Sequence, residues 1–153
     1  VSGAAREVRV TVAHACAAPA DRLWETLVDW DLHEQWMVLT RAHGGRGEGA
    51  TVEAFTGVGR LGFPDTMEIT NWRPATRESA GVCEVVHRGS VVRGRGRFDV
   101  VPLLGGRSRI TWTEWVEPPL GALGRLGWPV AKAPLALLLR RSLRNLGELA
   151  QRR

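Results

Sequence analysis

The stretch whose reading decides the fold is PPLGALGRLGWPVAKAPLALLLRRSLRNLGELAQRR, residues 118–153. After Pro134 it carries no further turn signal. Leu135, Leu138, Leu139, Ser142, Leu146 and Leu149 recur at three- and four-residue steps, while Arg141, Arg144, Glu148 and Arg152 fall on the other side. That pattern is a long amphipathic helix with one apolar face. Gly121, Gly124 and Gly127 recur every third residue before Trp128, Pro129 and Pro134. Glycine and proline weaken a helix, so a late start or a kink is expected around 128–134. That region is read either as a mobile wall or as close packing over small residues.

Working back from the helix, the chain reads as short strands. Residues 6–16 alternate, with Val8, Val10 and Val12 on one side and Arg9 and Thr11 on the other, as in a half-buried strand. Pro19 and Asp21 open a helix whose buried stripe is Leu23, Trp24, Leu27 and Val28. A second short helix reaches Trp36 and Met37. Trp24 and Trp30 are read as helix packing. From residue 38 onward the chain turns to strands divided by glycine-rich turns. Alternation places Val52, Ala54 and Thr56 inward, then Asp65, Met67, Ile69 and Asn71. The parity of residues 81–88 is ambiguous. Placing Cys83, Val85 and His87 inward avoids burying Glu84 and Arg88. Residues 91–101 turn Gly94, Gly96, Phe98 and Val100 inward, and 107–117 turn Ile110, Trp112, Glu114 and Val116 inward.

The order is strand, two helices, further strands and one long helix, with no βαβ alternation. An antiparallel sheet and an α+β class follow. A sheet with one apolar face needs a cover, and the terminal helix supplies it. At 153 residues a single domain over 1–153 is expected. No unbroken apolar run is long enough for a transmembrane span. Residues 1–6 have no apolar signal core, so no secretion signal is expected. Cys16 and Cys83 form no disulfide framework and are read as buried free thiols of a cytoplasmic protein. The net charge is +5, and Lys132 is the one lysine among 21 basic residues. Such a bias suits an anionic partner and equally suits a GC-rich bacterial genome.

Four sequence words, taken in order, resemble the SRPBCC or START-like superfamily, in its polyketide cyclase/dehydrase branch. They are AAPADRLW at 17–24, DWDLHEQW at 29–36, FPDTMEI at 63–69 and TWTE at 111–114 before Pro118 and Pro119. The resemblance covers nearly the whole chain. It implies a helix-grip fold: a curved seven-stranded antiparallel sheet wrapped around the C-terminal helix, with a cavity between them and two short helices after strand 1. It does not by itself imply an activity.

Within that fold the inward polar residues Asp65, His87 and Glu114 are the sharpest signal. Burying carboxyl groups is costly unless they are paired or neutral. Three roles are open: acid–base catalysis, hydrogen bonding to a ligand in a mostly apolar pocket, or a structural network. Trp36, Met67, Phe98, Trp112, Leu135 and Leu139 are the expected apolar contacts of a ligand. The expected function is binding of a small hydrophobic, aromatic or polyketide-like molecule. The alternative is cofactor-independent cyclisation or dehydration through Glu114, His87 and Asp65. A second alternative is an interaction module on the outer sheet face, which carries Arg93, Arg95, Arg97, Arg107 and Arg109. That face lacks the interleaved aromatics of a nucleic-acid platform apart from Trp115, so no nucleic acid is expected, and pairs with Glu68, Glu84 and Glu117 account for it.

Two motifs are set aside. GVGRLG at 57–62 spells a dinucleotide fingerprint, but Phe63, Pro64 and another strand follow where a helix is required. HEQWM at 33–37 puts Met37 where a zinc-binding helix needs its second His. No metal and no cofactor are expected. The protein is expected to be a monomer or homodimer without stable membrane insertion.

Overall fold

A computed structural model describes residues 7–153; the segment 1–6 lies outside the described residues. The elements are β1 (Val8–Cys16), α1 (Ala20–Leu27), a 3-10 turn (Trp30–Leu32), α2 (His33–Trp36), β2 (Thr40–Gly44), β3 (Thr51–Val58), β4 (Leu61–Arg73), β5 (Gly81–His87), β6 (Gly94–Leu103), β7 (Arg107–Val116) and α3 (Ala122–Arg152). All seven strands form one sheet in the order β1-β7-β6-β5-β4-β3-β2, antiparallel throughout. The sheet curves around α3, which is the helix-grip arrangement.

The core lies between the concave face and the helices. Val10, Val12, Val52, Ile69, Val100 and Ile110 of the sheet are buried against Leu23 and Leu27 of α1 and Leu143 and Leu146 of α3. The helix meets β1 most closely at Gly147. A Cβ there would lie 3.0 Å from Cys16 Cβ and 3.1 Å from the His14 ring. A side chain there would fit only if the strand or the helix yielded by a few tenths of an ångström. Both cysteines are free and buried. Burial pushes the Cys83 thiol up to about 12, with Glu84 adding to the effect, so it is unreactive.

The structure corrects two expectations of the sequence. The strand register slips at Thr70, between Ile69 and Asn71. A bulge of this kind reverses the alternation beyond it. Asn71 therefore turns outward and donates to Glu84 at 3.0 Å. Trp72 turns inward, edge-on to Trp24 at 5.2 Å. The second correction concerns α3, which starts at Ala122 rather than late. Gly121 turns the chain with φ 55°, and Gly124 lets the carbonyl of Pro119 approach where a Cβ would collide. Pro129 and Pro134 lie inside the helix. The carbonyls they leave unpaired, at Arg125 and Val130, belong to exposed residues, so water can satisfy them.

GVGRLG is the β3–β4 hairpin. Gly59 has φ 59°, while Arg60 is not among the positive-φ residues. This is the glycine-first pattern of a two-residue hairpin turn.

Candidate functional site

A cavity of about 300 Å³ lies between the concave face and α3. Of the residues singled out from the sequence, Asp65, Met67, His87, Phe98, Trp112, Glu114, Leu135 and Leu139 all line it. Strand alternation brings them together: Met67 faces His87, and Phe98 faces Trp112, in register on neighbouring strands. Phe98 and Trp112 pack with ring centroids 4.8 Å apart. Trp36 does not join them. It is fully buried behind the wall, edge-on to His33 at 4.6 Å and Trp112 at 6.4 Å. Trp30, read as helix packing, is the tryptophan from that segment that lines the cavity. Its indole N–H donates to Gly45 O at 2.6 Å, which fixes the ring.

His33, Met37, Leu138 and Ser142 also line the cavity and were not picked out as contacts from the sequence. Ser142 had a visible signal, a hydroxyl on an apolar stripe. Its Oγ accepts from Val38 N and donates to Leu138 O, both at 3.0 Å, tying α3 to the chain after α2. His33 donates from Nε2 to Leu27 O at 2.9 Å. Burial holds its pKa down at about 4, against a smaller upward pull from that carbonyl and Asp29. It is a neutral, structural histidine.

The polar end of the cavity is one connected cluster. His87 Nδ1 lies 2.7 Å from Asp65 Oδ2, and His87 Nε2 lies 3.1 Å from Glu114 Oε2. The indole N–H of Trp112 donates to Glu114 Oε1 at 2.7 Å. With a carboxyl group at each ring nitrogen, the imidazolium donates to both sides at once, which neutral imidazole cannot do. Burial by itself would lower the pKa of His87. The hydrogen bonds and charges of Asp65 and Glu114 outweigh that and raise it to about 10.

Space for the cluster is made by a missing side chain. Gly96 sits directly across from Glu114 in the β6–β7 register. A Cβ at Gly96 would stand 2.6 Å from Glu114 Oε1. Asp65 Oδ1 and Trp36 Nε1 are buried with no hydrogen-bond partner among the described residues. Among the described residues no group of His, Cys, Asp and Glu is arranged to hold a metal ion.

The outer sheet face is neutralised in part: Arg93, Arg107 and Arg109 have no ion pair among the described residues. Arg97 makes two 2.8 Å bonds to Asp99 and one of 3.3 Å to Glu84. Arg88 pairs with Glu68 at 3.1 Å. Arg95 stacks on Trp115 at 4.1 Å.

A seven-stranded antiparallel sheet closed over a cavity by a long terminal helix defines the START-like, helix-grip class of fold. A family profile described as polyketide cyclase / dehydrase and lipid transport matches residues 7–151. The chain belongs to that family. The crystal structure of Zhui aromatase/cyclase from Streptomyces sp. R1128 superposes with a TM-score of 0.68 at 21% identity, covering 96% of this chain and 95% of that one. A START superfamily protein from Mycobacterium smegmatis gives a TM-score of 0.71 at 14% identity, covering 94% and 97%. A STAR-related lipid transfer protein from Xanthomonas axonopodis gives 0.68 at 14% identity, covering 94% and 85%. At these identities the likeness is one of fold. No curated protein sequence matches.

Proposed function

We propose that this protein binds a small hydrophobic, aromatic or polyketide-like molecule in the cavity between the sheet and α3. The observation that carries the reading is the cavity itself. It has about 300 Å³ of space, walls that include Phe98, Trp112, Met67 and Leu139, and one hydrogen-bonded polar cluster at Glu114 and His87. Apolar walls with a few placed polar groups are what a small-molecule site requires. The aromatic pair suits a planar ligand. The family description and the names of the aromatase/cyclase and lipid-transfer structures, all concerned with carbon-rich molecules, support the same ligand class.

A second reading, cyclisation or dehydration without a cofactor, is favoured by the Asp65–His87–Glu114 cluster. In that reading Glu114 or Asp65 takes a proton from the substrate and His87 donates one. Binding is preferred because both ring nitrogens of His87 are already engaged and its pKa is raised to about 10. An acid that weak is poorly matched to proton transfer near neutral pH.

The test is a thermal-shift screen of planar and polyketide-like compounds against wild type and Met67→Trp, a substitution that fills the cavity. A ligand present at about 100 times its dissociation constant stabilises by about 2.7 kcal/mol. Wild type should gain melting temperature and the filled variant should not. Equal gains in both would place the ligand elsewhere and end this reading. Glu114→Gln then separates the two functions: loss of turnover with retained binding favours chemistry.

A further inference from the structure

The N-terminal half of α3 carries an apolar face that covers nothing. Leu120, just before the helix, and Leu123, Leu126, Val130 and Leu137 within it are each between 64 and 81% exposed. From Leu123 the spacing is three, four and seven residues, which places those side chains on one stripe of an α-helix. The stripe extends about 21 Å at 1.5 Å per residue. It is separate from the buried stripe of Leu139, Leu143 and Leu146. A continuous exposed stripe of large apolar side chains marks an interaction surface.

The charge pattern indicates what covers it. Between Glu117 and Glu148 there is no acidic residue, while Arg125, Lys132, Arg140, Arg141 and Arg144 are all basic. None of these five has a carboxylate within ion-pair distance among the described residues. Arg141 and Arg144 continue the line of the leucines toward the C-terminus. A second copy docked through the same face would offer these cations no carboxylate anywhere from residue 118 to 147. An anionic bilayer surface meets both requirements. It accepts the leucines among its acyl chains and pairs the cations with headgroups.

We propose that the N-terminal half of α3 docks this protein peripherally on anionic lipid membranes, with Leu123, Leu126, Val130 and Leu137 entering the interface and Arg140, Arg141 and Arg144 at the headgroups. The helix lies on the surface; among the described residues none is long and apolar enough to cross a membrane. The docked face adjoins the cavity. Leu138, next to Leu137, is the most exposed of the lining residues. Docking therefore places the rim of the cavity at the lipid boundary, and it does so whatever the cavity holds.

The experiment is co-sedimentation of the whole protein with vesicles of phosphatidylcholine alone and of phosphatidylcholine mixed with phosphatidylglycerol, at low and high salt. Wild type should pellet with the anionic vesicles, stay in solution with the neutral ones, and bind less as salt rises. Arg140→Glu/Arg141→Glu should weaken binding at least about 25-fold, at about fivefold for each cation lost, with repulsion from the two added carboxylates on top. Leu123→Asp/Leu126→Asp should weaken it at least tenfold. All four positions are exposed, so both variants should keep the wild-type melting temperature. Absence of wild-type binding overturns the proposal, as does equal binding to both vesicles or unchanged binding by both variants. So does a dimer in light scattering that Leu123→Asp/Leu126→Asp dissolves while anionic vesicles capture nothing, since the occupant is then a second copy.

Discussion

Raising the pH should unlock the polar end of the cavity before it unfolds the rest of the molecule. His87 has side-chain exposure of 7% and a carboxyl group on each ring nitrogen, at 2.7 and 3.1 Å. Burial opposes its charge, and the two partners overcome that to raise its pKa from 6.5 to about 10. A group whose pKa is raised by folding contributes stability that is complete below the unfolded value and vanishes as pH climbs through the folded one. The window therefore runs upward from pH 6.5 to about 10. At about 1.4 kcal/mol per unit, the stabilisation lost across it is roughly 5 kcal/mol, a large share of the stability of an ordinary domain. Two measurements check this. The ring resonances of His87, followed by NMR, should not titrate near neutrality, and urea midpoints should fall steadily above pH 6.5. In Glu114→Gln the ring keeps Asp65 but loses one carboxylate, so its pKa should move down toward 6.5, and the alkaline loss, still starting near 6.5, should be smaller and end at lower pH. A His87 that titrates near 6.5 in the wild type, or an unfolding free energy flat from neutrality to pH 10, would refute the reasoning.

Two further outcomes follow from neighbouring contacts. Gly96→Ala puts a Cβ within 2.6 Å of Glu114 Oε1, so the carboxyl group must swing away from Trp112 and His87. Charged hydrogen bonds are worth about 1.5–3 kcal/mol each, against about 0.5–1 kcal/mol gained from removing a strand glycine. Net destabilisation of about 2–5 kcal/mol should appear in urea unfolding at neutral pH, and an unchanged or more stable variant would contradict the assignment. His33 works in the opposite direction. Its pKa is lowered by burial to about 4, so its contribution is present above 6.5 and is lost as pH falls toward 4. The loss is about 3 kcal/mol. Acid unfolding of His33→Gln should lack that slope, and an identical slope in both proteins would exclude His33 as its source.

Most of the cavity could be read from alternation alone because its walls are strands. A period of two fixes which face a residue joins, and burying Glu84 and Arg88 was the costlier choice for β5. Asp65, His87 and Glu114 therefore reach one cluster from three strands. The reading failed where that period breaks. The bulge at Thr70 exchanges Asn71 for Trp72 on the inner face, and nothing in the local residue types announces it. It failed again where no period exists. In the short helices after β1, Trp30 and Trp36 differ in which side of a tight turn they occupy, so Trp30 lines the cavity and Trp36 lies behind it. Of the two expectations for α3, a late start or a kink, the late start failed because glycine and proline were weighed as helix breakers. Their tolerance depends on solvent reaching the unpaired carbonyls, which is a property of the tertiary structure.

The two halves of α3 are held by different forces, and the difference bears on how a ligand would enter. The C-terminal half is locked by close packing. Gly147 sits against β1, Leu143 and Leu146 are fully buried, and Asn145 donates to Trp36 O at 3.2 Å. The N-terminal half presents Leu135 and Trp128 to the interior as partly buried contacts, with its other large apolar side chains in solvent. Segments with little buried apolar surface open at far lower free energy than the packed core. The N-terminal half is therefore the less firmly packed part of α3. Ser142, bonded to Val38 N, marks the last firm tie before that boundary. The residues that would move, Leu135 and Leu138, line the cavity. Lifting of this end of α3 would expose the cavity and leave the Asp65–His87–Glu114 cluster, which is built wholly on strands, in place.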